Sequence, residues 1–196
     1  MNVRVRVALP RDAAPVAAIY APIVRDTAIS FEVEPPDAAE MRRRIEHTLE
    51  ALPWLVAERE DGVIGYAYAA SHRSRAAYRW SVDVSVYVAE TARGQGVGRA
   101  LYRPLLAWLG AQGFHRAYAG ITLPNAASVA LHESQGFASV ARYREVGWKC
   151  EAWHDVGWWE RELATPRDPP DEPQPFERWR GSDAGVRALT ALAAKG

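Results

Sequence analysis

Alternating apolar and polar residues predict the strands of this chain. Residues 3–7 alternate valine with arginine, which favours a short edge strand. Two apolar runs, residues 54–58 and 63–70, flank a polar turn that ends in Asp61-Gly62, a pattern typical of a β-hairpin. Further alternating or apolar runs predict four more strands: residues 81–88, 116–122, 137–146 and 153–162.

Helical spacing of apolar residues predicts two helices near the start of the chain. Asp12 is placed to cap the first, and Pro22 is expected to bend that helix or to end it early. Asp37 and Glu40 form a capping-box pattern ahead of the next apolar stripe. The second helix is therefore expected over residues 38–51.

Two more helices are predicted later in the chain. One begins near Val97 and should stop at Gly113, with a kink at Pro104. The other is short, with Asn125 as its cap and Gly136 at its end. Strands and helices are thus mixed without strict alternation, which predicts an α/β (α+β) domain on a mixed sheet.

The pattern changes at Thr165. Several prolines among charged residues favour an extended linker, and residues 185–194 predict one weak helix. We therefore expect a domain over residues 1–164 and a flexible, Pro-rich, charged extension with a short helix over residues 165–196.

Composition narrows the possible partners and location. Lys plus Arg and Asp plus Glu number 24 each, with a sequence pI near 7.0, so charge gives no reason to expect nucleic acid or an acidic membrane as a partner. The single Cys150 excludes an internal disulfide and is expected to be a packing residue. The absence of an apolar signal core or a membrane span predicts a cytoplasmic protein.

A glycine-rich turn follows the strand Ser81-Val-Asp-Val-Ser-Val-Tyr-Val88. Gly94, Gly96 and Gly98 lead directly into a helix, an arrangement that offers bare backbone amides to a phosphate. A dinucleotide fingerprint would need its third glycine where Arg99 stands, and a P-loop would need Gly-Lys-Ser/Thr. A glycine turn kept only for tight packing remains the alternative.

Arg93-x-x-Gly96-x-Gly98 resembles the acyl-CoA-binding motif of the GNAT N-acetyltransferases. Leu123-Pro-Asn125-x-x-Ser128 followed by Leu131-His-Glu-Ser-Gln-Gly-Phe137 is similar to the second GNAT signature. Within that superfamily the chain resembles the phosphinothricin and methionine sulfoximine N-acetyltransferase group. The marks of that group are Ile29-Ser-Phe-Glu-Val-Glu-Pro35, Arg75-x-x-Tyr78, Trp80-x-Val-Asp-x-x-Val-Tyr-Val88, Leu131-His-Glu133 and Trp153-His-Asp-Val-Gly157.

The resemblance implies the GNAT fold, a central and mostly antiparallel sheet that is flanked by helices and splayed at the cofactor strand. It also implies acetyl-CoA as co-substrate, with the pyrophosphate on the glycine turn and a backbone N–H of Val88 as oxyanion donor on a bulged strand. The residues implied to bind acetyl-CoA are Val86, Tyr87, Val88, Arg93, Gly94, Gln95, Gly96, Val97, Gly98, Arg99, Asn125 and Ser128.

Two side chains are candidates for proton transfer. Asp83 is the expected general base, acting directly or through water, although the matching position in the group is usually Glu; an exposed strand carboxylate is the alternative. Strand alternation places Asp83, Ser85 and Tyr87 on one face. His132 stands where the group carries histidine, and it is expected to protonate the leaving thiolate or to act as a second base; a structural histidine is the alternative.

The acceptor pocket is implied by resemblance to contain Phe31, Arg75, Tyr78 and Lys149. Arg75 suits the α-carboxylate of an amino acid, since a guanidinium pairs with a carboxylate bidentately; a solvated loop arginine is the alternative. His132 lacks the second histidine of a His-Glu-x-x-His zinc motif and the other histidines show no ligand spacing, so no metal is expected.

These features predict an acetyl-CoA-dependent N-acetyltransferase that acts on a small glutamate-like amino acid by direct transfer in a ternary complex. Another amine, such as a protein N-terminus or an aminoglycoside, is an alternative acceptor. A non-catalytic acyl-CoA-binding module is the alternative from another class. A homodimer is expected from the resemblance alone.

Overall fold

The computed structural model describes residues 3–193 of the chain. It contains seven strands: β1 Arg4–Val7, β2 Trp54–Arg59, β3 Gly62–Ser71, β4 Ser81–Val88, β5 Arg116–Leu123, β6 Ala138–Lys149 and β7 Ala152–Glu162. It contains six α-helices: α1 Ala13–Asp26, α2 Ala38–Ala51, α3 Val97–Gln112, α4 Ala126–Ser134, α5 Phe176–Arg180 and α6 Asp183–Ala193. No helix within residues 3–193 is both long and apolar enough to span a membrane.

The strands form one mixed sheet in the order β1-β2-β3-β4-β5-β7-β6. Neighbouring strands are antiparallel except β4 and β5, which run parallel. These two pair only from Ser81 with Arg116 to Asp83 with Tyr118, and beyond that point they separate. The expected splay is therefore confirmed, and it begins directly after Asp83. The sheet has β1 at one edge, as predicted, and β6 at the other.

Helices cover both faces of the sheet and define two cores. Leu101 and Leu105 of α3 are fully buried against Val82 on one face. On the other face, Val16 of α1 and Ile45 of α2 pack over an aromatic group that includes Trp54 and Tyr66. The predicted alternation of β4 follows from this layering, because its even-numbered valines pack in the α3 core while Tyr87 packs against the α1–α2 core.

Local sequence signals predicted α2 and the end of α3 correctly. Helix α2 spans Ala38–Ala51, and the Asp37 carboxylate accepts from the Glu40 amide as its cap. Helix α3 ends at Gly113, whose φ of 100° suits glycine. The helix continues through Pro104.

Of the two outcomes expected at Pro22, a bend or an early end of α1, the early end does not occur. The helix runs on to Asp26, and Ile23 and Val24 beyond the proline are buried in the α1–α2 core. Burial of that apolar face compensates for the one backbone hydrogen bond that a proline removes. Asp12 does not cap α1 either, since its carboxylate accepts from the Leu9 amide and from Arg6 instead.

The C-terminal extension contacts the domain through residues 171–175 and packs into its core from Phe176 onward. The expectation of a flexible extension is wrong for this part, because Phe176 is 0% and Trp179 2% exposed in the α3 core. Their rings lie 6.0 and 5.7 Å from that of Trp108. The weak helix expected over residues 185–194 is present as α6, although residue 194 lies outside the described residues. Residues 165–175 form no helix or strand, as the prolines predicted.

Candidate active site

A cleft of about 660 Å³ lies where β4 and β5 separate, bounded by the glycine turn and by α4. Apart from Gln95, every residue that the sequence implied as an acetyl-CoA contact lines this cleft. The Gln95 side chain turns away, since it accepts from Arg59 at 2.6 Å and donates to the Thr91 carbonyl at 2.8 Å. Its predicted cofactor contact is therefore not supported for the side chain.

The glycine turn forms the N-terminus of α3. Gly96 is the N-cap at φ 80° and ψ 1°, a left-handed conformation that glycine adopts without strain. The amide of Ala100 donates to the Gly96 carbonyl at 3.0 Å, so the amides of Val97, Gly98 and Arg99 precede the first intrahelical bond. These free donors, the helix dipole and the nearby guanidinium of Arg93 make an anion site.

Gly98 has a different role from Gly96. A Cβ at Gly98 would lie 2.8 Å from a methyl carbon of Leu131, so this glycine permits close packing of α3 on α4. The packing alternative therefore holds for Gly98, whereas Gly94 and Gly96 are required by their positive φ angles of 72° and 80°.

Backbone groups of β4 point into the gap between the separating strands. The Ala89 amide donates to Ile64 of β3 at 2.9 Å, and the Ser81 carbonyl accepts from His72 on the same side. Polar groups alternate along a strand, so the N–H groups of Val86 and Val88 point away from β3 and into the cleft. The expected bulge in β4 is wrong, because β3 and β4 pair without a register shift from Gly65–Val88 to Ser71–Val82.

Asn125 positions α4 at the far wall of the cleft. Its side-chain oxygen accepts from the Ser128 amide at 3.1 Å, which confirms the predicted cap. The gap between the separating strands β4 and β5 is called the fork below. Asn125 and Ser128 also line a second, smaller cavity of about 50 Å³ inside this fork, together with Ser85, Gly120 and other residues of the two strands.

His132 is 4% exposed at the back of this smaller cavity. Its Nδ1 lies 2.8 Å from the Ser128 carbonyl oxygen, and its Nε2 lies 2.9 Å from the Tyr102 hydroxyl. A carbonyl only accepts, so Nδ1 carries the proton and Nε2 accepts from Tyr102. Burial lowers the pKa of His132, with partial opposition from the bond to Ser128. Both nitrogens are engaged, which favours the structural role over donation to a thiolate.

Asp83 occupies the last paired position before the fork, and it has a partner that the sequence analysis missed. Oδ1 of Asp83 lies 2.6 Å from Nδ1 of His72, and the two side chains are 31% and 13% exposed. Burial raises the pKa of the Asp83 carboxyl, while the bond to His72 and the charge of Arg73 lower it. The hairpin register could have revealed His72, because it follows β3 on the face that carries Asp83.

Aromatic rings enclose His72. The ring of Tyr118 stacks on it at a centroid distance of 4.3 Å, and those of Tyr78 and Trp158 meet it edge-on at 6.0 and 6.1 Å. Arg73 lies over the Trp158 ring at 5.7 Å. Tyr78 was predicted at the acceptor pocket and lies beside the Asp83–His72 pair, whereas Arg73, Tyr118 and Trp158 were not predicted.

Arg75 lies on the turn before Tyr78. The two residues line a cavity of about 320 Å³ on the side where the turn meets residues 172–175 of the extension. Arg79 of the same turn bonds Glu172 at 2.6 Å, and the Trp80 indole donates to the Asp171 carbonyl at 2.8 Å. The C-terminal extension therefore braces the segment that presents Arg75.

Lys149 is engaged by backbone and cannot serve as a free substrate contact. Its Nζ donates to the carbonyls of Val24, Ser30 and Glu32 at 2.6, 2.6 and 2.8 Å, which uses all three of its donors. Lys149 therefore has no free N–H for the acceptor in this geometry, and its predicted place in the acceptor pocket would act through the segment that it holds. Lys149 instead holds in place the segment that carries Phe31. The Phe31 ring packs on Gly147 and lies 6.3 Å from the ring of His154.

Within residues 3–193, no group of three or more His, Cys, Asp or Glu side chains is placed to hold a metal ion. The site thus consists of an anion-binding helix terminus, backbone donors in the fork and a carboxylate–imidazole pair. This donor set fits a phosphate-bearing thioester on one side of the sheet and an amine on the other.

Comparison with known proteins agrees with this geometry. The family model described as an acetyltransferase (GNAT) domain matches residues 5–158. A phosphinothricin N-acetyltransferase of Streptomyces coelicolor is 40% identical over 176 residues, covering 83% of this chain and 97% of that protein. An L-methionine sulfoximine/L-methionine sulfone acetyltransferase of Pseudomonas paraeruginosa is 33% identical over 172 residues, covering 87% of this chain and 100% of that protein.

A solved structure with acetyl-CoA bound has the same fold. The GNAT superfamily phosphinothricin acetyltransferase of Sinorhizobium meliloti, in complex with AcCoA, superimposes with a TM-score of 0.80 at 33% identity, covering 95% of this chain and 98% of that chain. The fork, the glycine turn and these relatives together show that the chain belongs to the GNAT family and is an N-acetyltransferase with acetyl-CoA as its co-substrate.

Proposed function

We propose that this enzyme acetylates the α-amine of a small amino acid of the phosphinothricin or methionine sulfoximine type. The observation that carries the proposal is Asp83, a carboxylate at the vertex of the fork, on the same strand face as Ser85, which lines the small cavity. An amino-acid acceptor presents a cationic amine and a carboxylate together. Asp83 suits the amine, and Arg73 and Arg75 on the adjoining segment suit the carboxylate.

Each part of the site has a role in the proposed reaction. Acetyl-CoA supplies the acetyl group as a thioester. The first-turn amides of α3, with Arg93 and Arg99, hold the pyrophosphate, and the N–H of Val88 stabilises negative charge on the acetyl oxygen. Loss of one such oxyanion donor typically costs about 2.7–4 kcal/mol of transition-state stabilisation.

Direct transfer in a ternary complex is favoured over a covalent enzyme intermediate. Cys150, the single thiol of the chain, is exposed in the turn between β6 and β7 and does not line the cleft. The acceptor amine is then the nucleophile, and it must lose a proton before it attacks.

An amine panel tests the acceptor. Purified enzyme with acetyl-CoA should release CoA fastest with phosphinothricin or methionine sulfoximine, more slowly with glutamate, and least with a peptide N-terminus or an aminoglycoside. A higher kcat/KM on either of the last two would overturn the acceptor class. Acetyl-CoA binding with no turnover on any amine would instead favour the non-catalytic module.

Asp83→Ala tests whether the carboxylate is needed for removal of the amine proton. We expect kcat/KM to fall roughly 10²–10⁴-fold, the usual contribution of general base catalysis, while the acetyl-CoA Kd stays within about twofold. Equal activity of the variant and the wild type would remove Asp83 from the mechanism.

A homodimer is the proposed assembly, built on the β6–β7 hairpin. This hairpin lies at the sheet edge and exposes large apolar side chains: Val140, Tyr143, Val146, Trp148 and Trp153. An exposed apolar edge of this kind favours association. Sedimentation velocity should give twice the 21.7 kDa chain mass, and Trp148→Glu with Trp153→Glu should shift it to one chain. A wild-type protein that sediments as a single chain would contradict the dimer.

The cytoplasm is the proposed location, and resistance to amino-acid antibiotics or herbicides is the proposed benefit. An exposed free Cys150 is compatible with a reducing compartment. Expression in a sensitive host should raise tolerance to phosphinothricin, and the Asp83→Ala variant should not.

A further inference from the structure

The imidazole of His72 is held in one orientation by Asp83. Nδ1 lies 2.6 Å from Oδ1, and the ring stacks on Tyr118 at a centroid distance of 4.3 Å. An ionised carboxylate only accepts hydrogen bonds, so the proton of a neutral His72 sits on Nδ1. The lone pair of Nε2 is then directed away from Asp83. This is the arrangement in which a carboxylate orients a histidine base.

The lengths of the two side chains complement each other. Aspartate is one methylene shorter than glutamate, and His72 lies diagonally across the β3–β4 pairing from Asp83 on the same face of the sheet. Imidazole therefore extends the reach of the short carboxylate. The ring centroids of Tyr78 and Trp158 lie 6.0 and 6.1 Å from that of His72. These rings reduce the contact of His72 with water.

We propose that His72, oriented by Asp83, is the general base that takes the proton from the acceptor ammonium. The inference rests on the proposed acetylation of an amine and names the atom that accepts the proton. Nε2 takes one proton from the ammonium and passes it to solvent. The amine nitrogen then forms a bond to the acetyl carbon as the carbon–sulfur bond breaks, and the second nitrogen proton goes to the departing thiolate, which leaves as the thiol.

Other ionisable groups surround this pair and set its charge. Arg73 follows His72 directly in the chain, and its positive charge lowers the pKa of Asp83. The Arg73 guanidinium lies over the Trp158 ring. Tyr118 on β5 is close to Glu160 of β7, and Glu160 also pairs with Arg116 at 3.2 Å. Tyr78 faces His72 from the short turn after β3. Glu162 also pairs with Arg116, at 3.6 Å. Arg73 and Arg116 thus lie among the carboxylates of Asp83, Glu160 and Glu162 around the imidazole.

Two substitutions separate a base from a positioning residue. His72→Asn keeps an N–H donor where Nδ1–H points at Asp83 but removes Nε2, whereas His72→Phe keeps the stacked ring and removes both nitrogens. We expect both to lower kcat/KM at least 10²-fold and to leave the acetyl-CoA Kd within about twofold. The acidic limb of the pH profile should be lost in His72→Asn. His115→Asn is the matched control, since His115 bonds the Ala164 carbonyl outside the cleft, and it should leave activity unchanged.

Near wild-type activity of His72→Asn, or an unchanged acidic limb, would show that His72 only orients Asp83 and would overturn the proposal. A ¹⁵N spectrum of the histidines reads the tautomer without any turnover. In the wild type we expect His72 to carry its proton on Nδ1 and none on Nε2. In Asp83→Asn we expect the proton of His72 on Nε2 instead. A proton on Nε2 overturns the dyad even if the enzyme is active. A correct tautomer with no turnover on the amine panel overturns the proposed function instead.

Discussion

The hydroxyl of Tyr102 donates to Nε2 of His132 across 2.9 Å, and both side chains are buried. Tyr102 lies in the middle of α3 and His132 in the last turn of α4, so the bond ties together the two helices that bound the cleft. Burial raises the pKa of Tyr102 well above its ordinary value, which keeps the phenol a hydrogen-bond donor.

Tyr102→Phe should destabilise the protein. The change leaves Nε2 of His132 without its donor in a buried site, and an unsatisfied buried polar group costs about 1–3 kcal/mol. Urea unfolding at pH 7.5 measures the loss. Tyr143→Phe, an exposed tyrosine on β6, is the control and should be neutral. Equal midpoints for the two variants would show that the Tyr102–His132 bond contributes nothing to stability.

His132 should make stability depend on pH below neutrality. Burial lowers its pKa in the folded protein, while in the unfolded chain the pKa is ordinary, about 6.5. The unfolded state therefore binds the proton first, and stability falls as the pH drops from about 6.5 toward the lowered folded pKa. Urea midpoints at pH 7.5, 6.5 and 5.5 should decline more steeply in the wild type than in His132→Asn. Parallel declines would assign the pH dependence to other groups.

Lys149→Met should raise the KM for the acceptor and leave the acetyl-CoA Kd nearly unchanged. The ammonium holds the carbonyls of Val24, Ser30 and Glu32, and bonds to a charged group contribute about 1.5–3 kcal/mol each. Without it, the segment that carries Phe31 loses its anchor. Steady-state kinetics and calorimetry measure the two effects. Arg142→Met, a cation exposed on the same strand, is the control. A normal acceptor KM would separate that segment from the pocket.

Gly96→Ala should weaken acetyl-CoA binding tenfold or more. A Cβ at Gly96 meets no protein atom within 4 Å, so the variant can fold, with roughly 1 kcal/mol of strain from the left-handed φ. Gly62→Ala places an alanine at another positive φ, 120°, in the β2–β3 turn away from the cleft, and serves as the control. Isothermal calorimetry should show weakened binding in Gly96→Ala alone; equal Kd values would refute the pyrophosphate assignment.

Trp179→Ala should lower the free energy of unfolding by about 3–5 kcal/mol, the usual cost of truncating a buried tryptophan. Trp179 is 2% exposed and packs on Trp108 and Phe176. Val186→Ala, in the exposed part of α6, should change stability by less than about 0.5 kcal/mol. Chemical denaturation compares the two. A small effect of Trp179→Ala would mean that the extension does not contribute to the core.

Local signals predicted most of the fold because their causes lie within a few residues. The Asp37–Glu40 cap, the left-handed Gly113 and the alternation of residues 81–88 each depend on neighbours in the chain. The residues that line the cleft were predicted mainly from the family resemblance, whose first motif places a strand, a turn and a helix N-terminus in one continuous stretch of chain. The effect of Pro22 on α1 was less predictable, because burial of the residues beyond the proline decides whether the helix continues.

The sequence by itself determined the mixed α/β order, the glycine turn and Asp83 as a candidate base. Only the tertiary structure decided which side chains remain available for chemistry. Lys149 was predicted to bind substrate, yet it is saturated by carbonyls, one of them 125 positions away in Val24. Folding brings His72 within hydrogen-bond distance of Asp83, and it buries Phe176 and Trp179 of the extension in the core. A side chain's remaining hydrogen-bonding capacity depends on which distant groups folding brings to it, and local pattern carries no record of them.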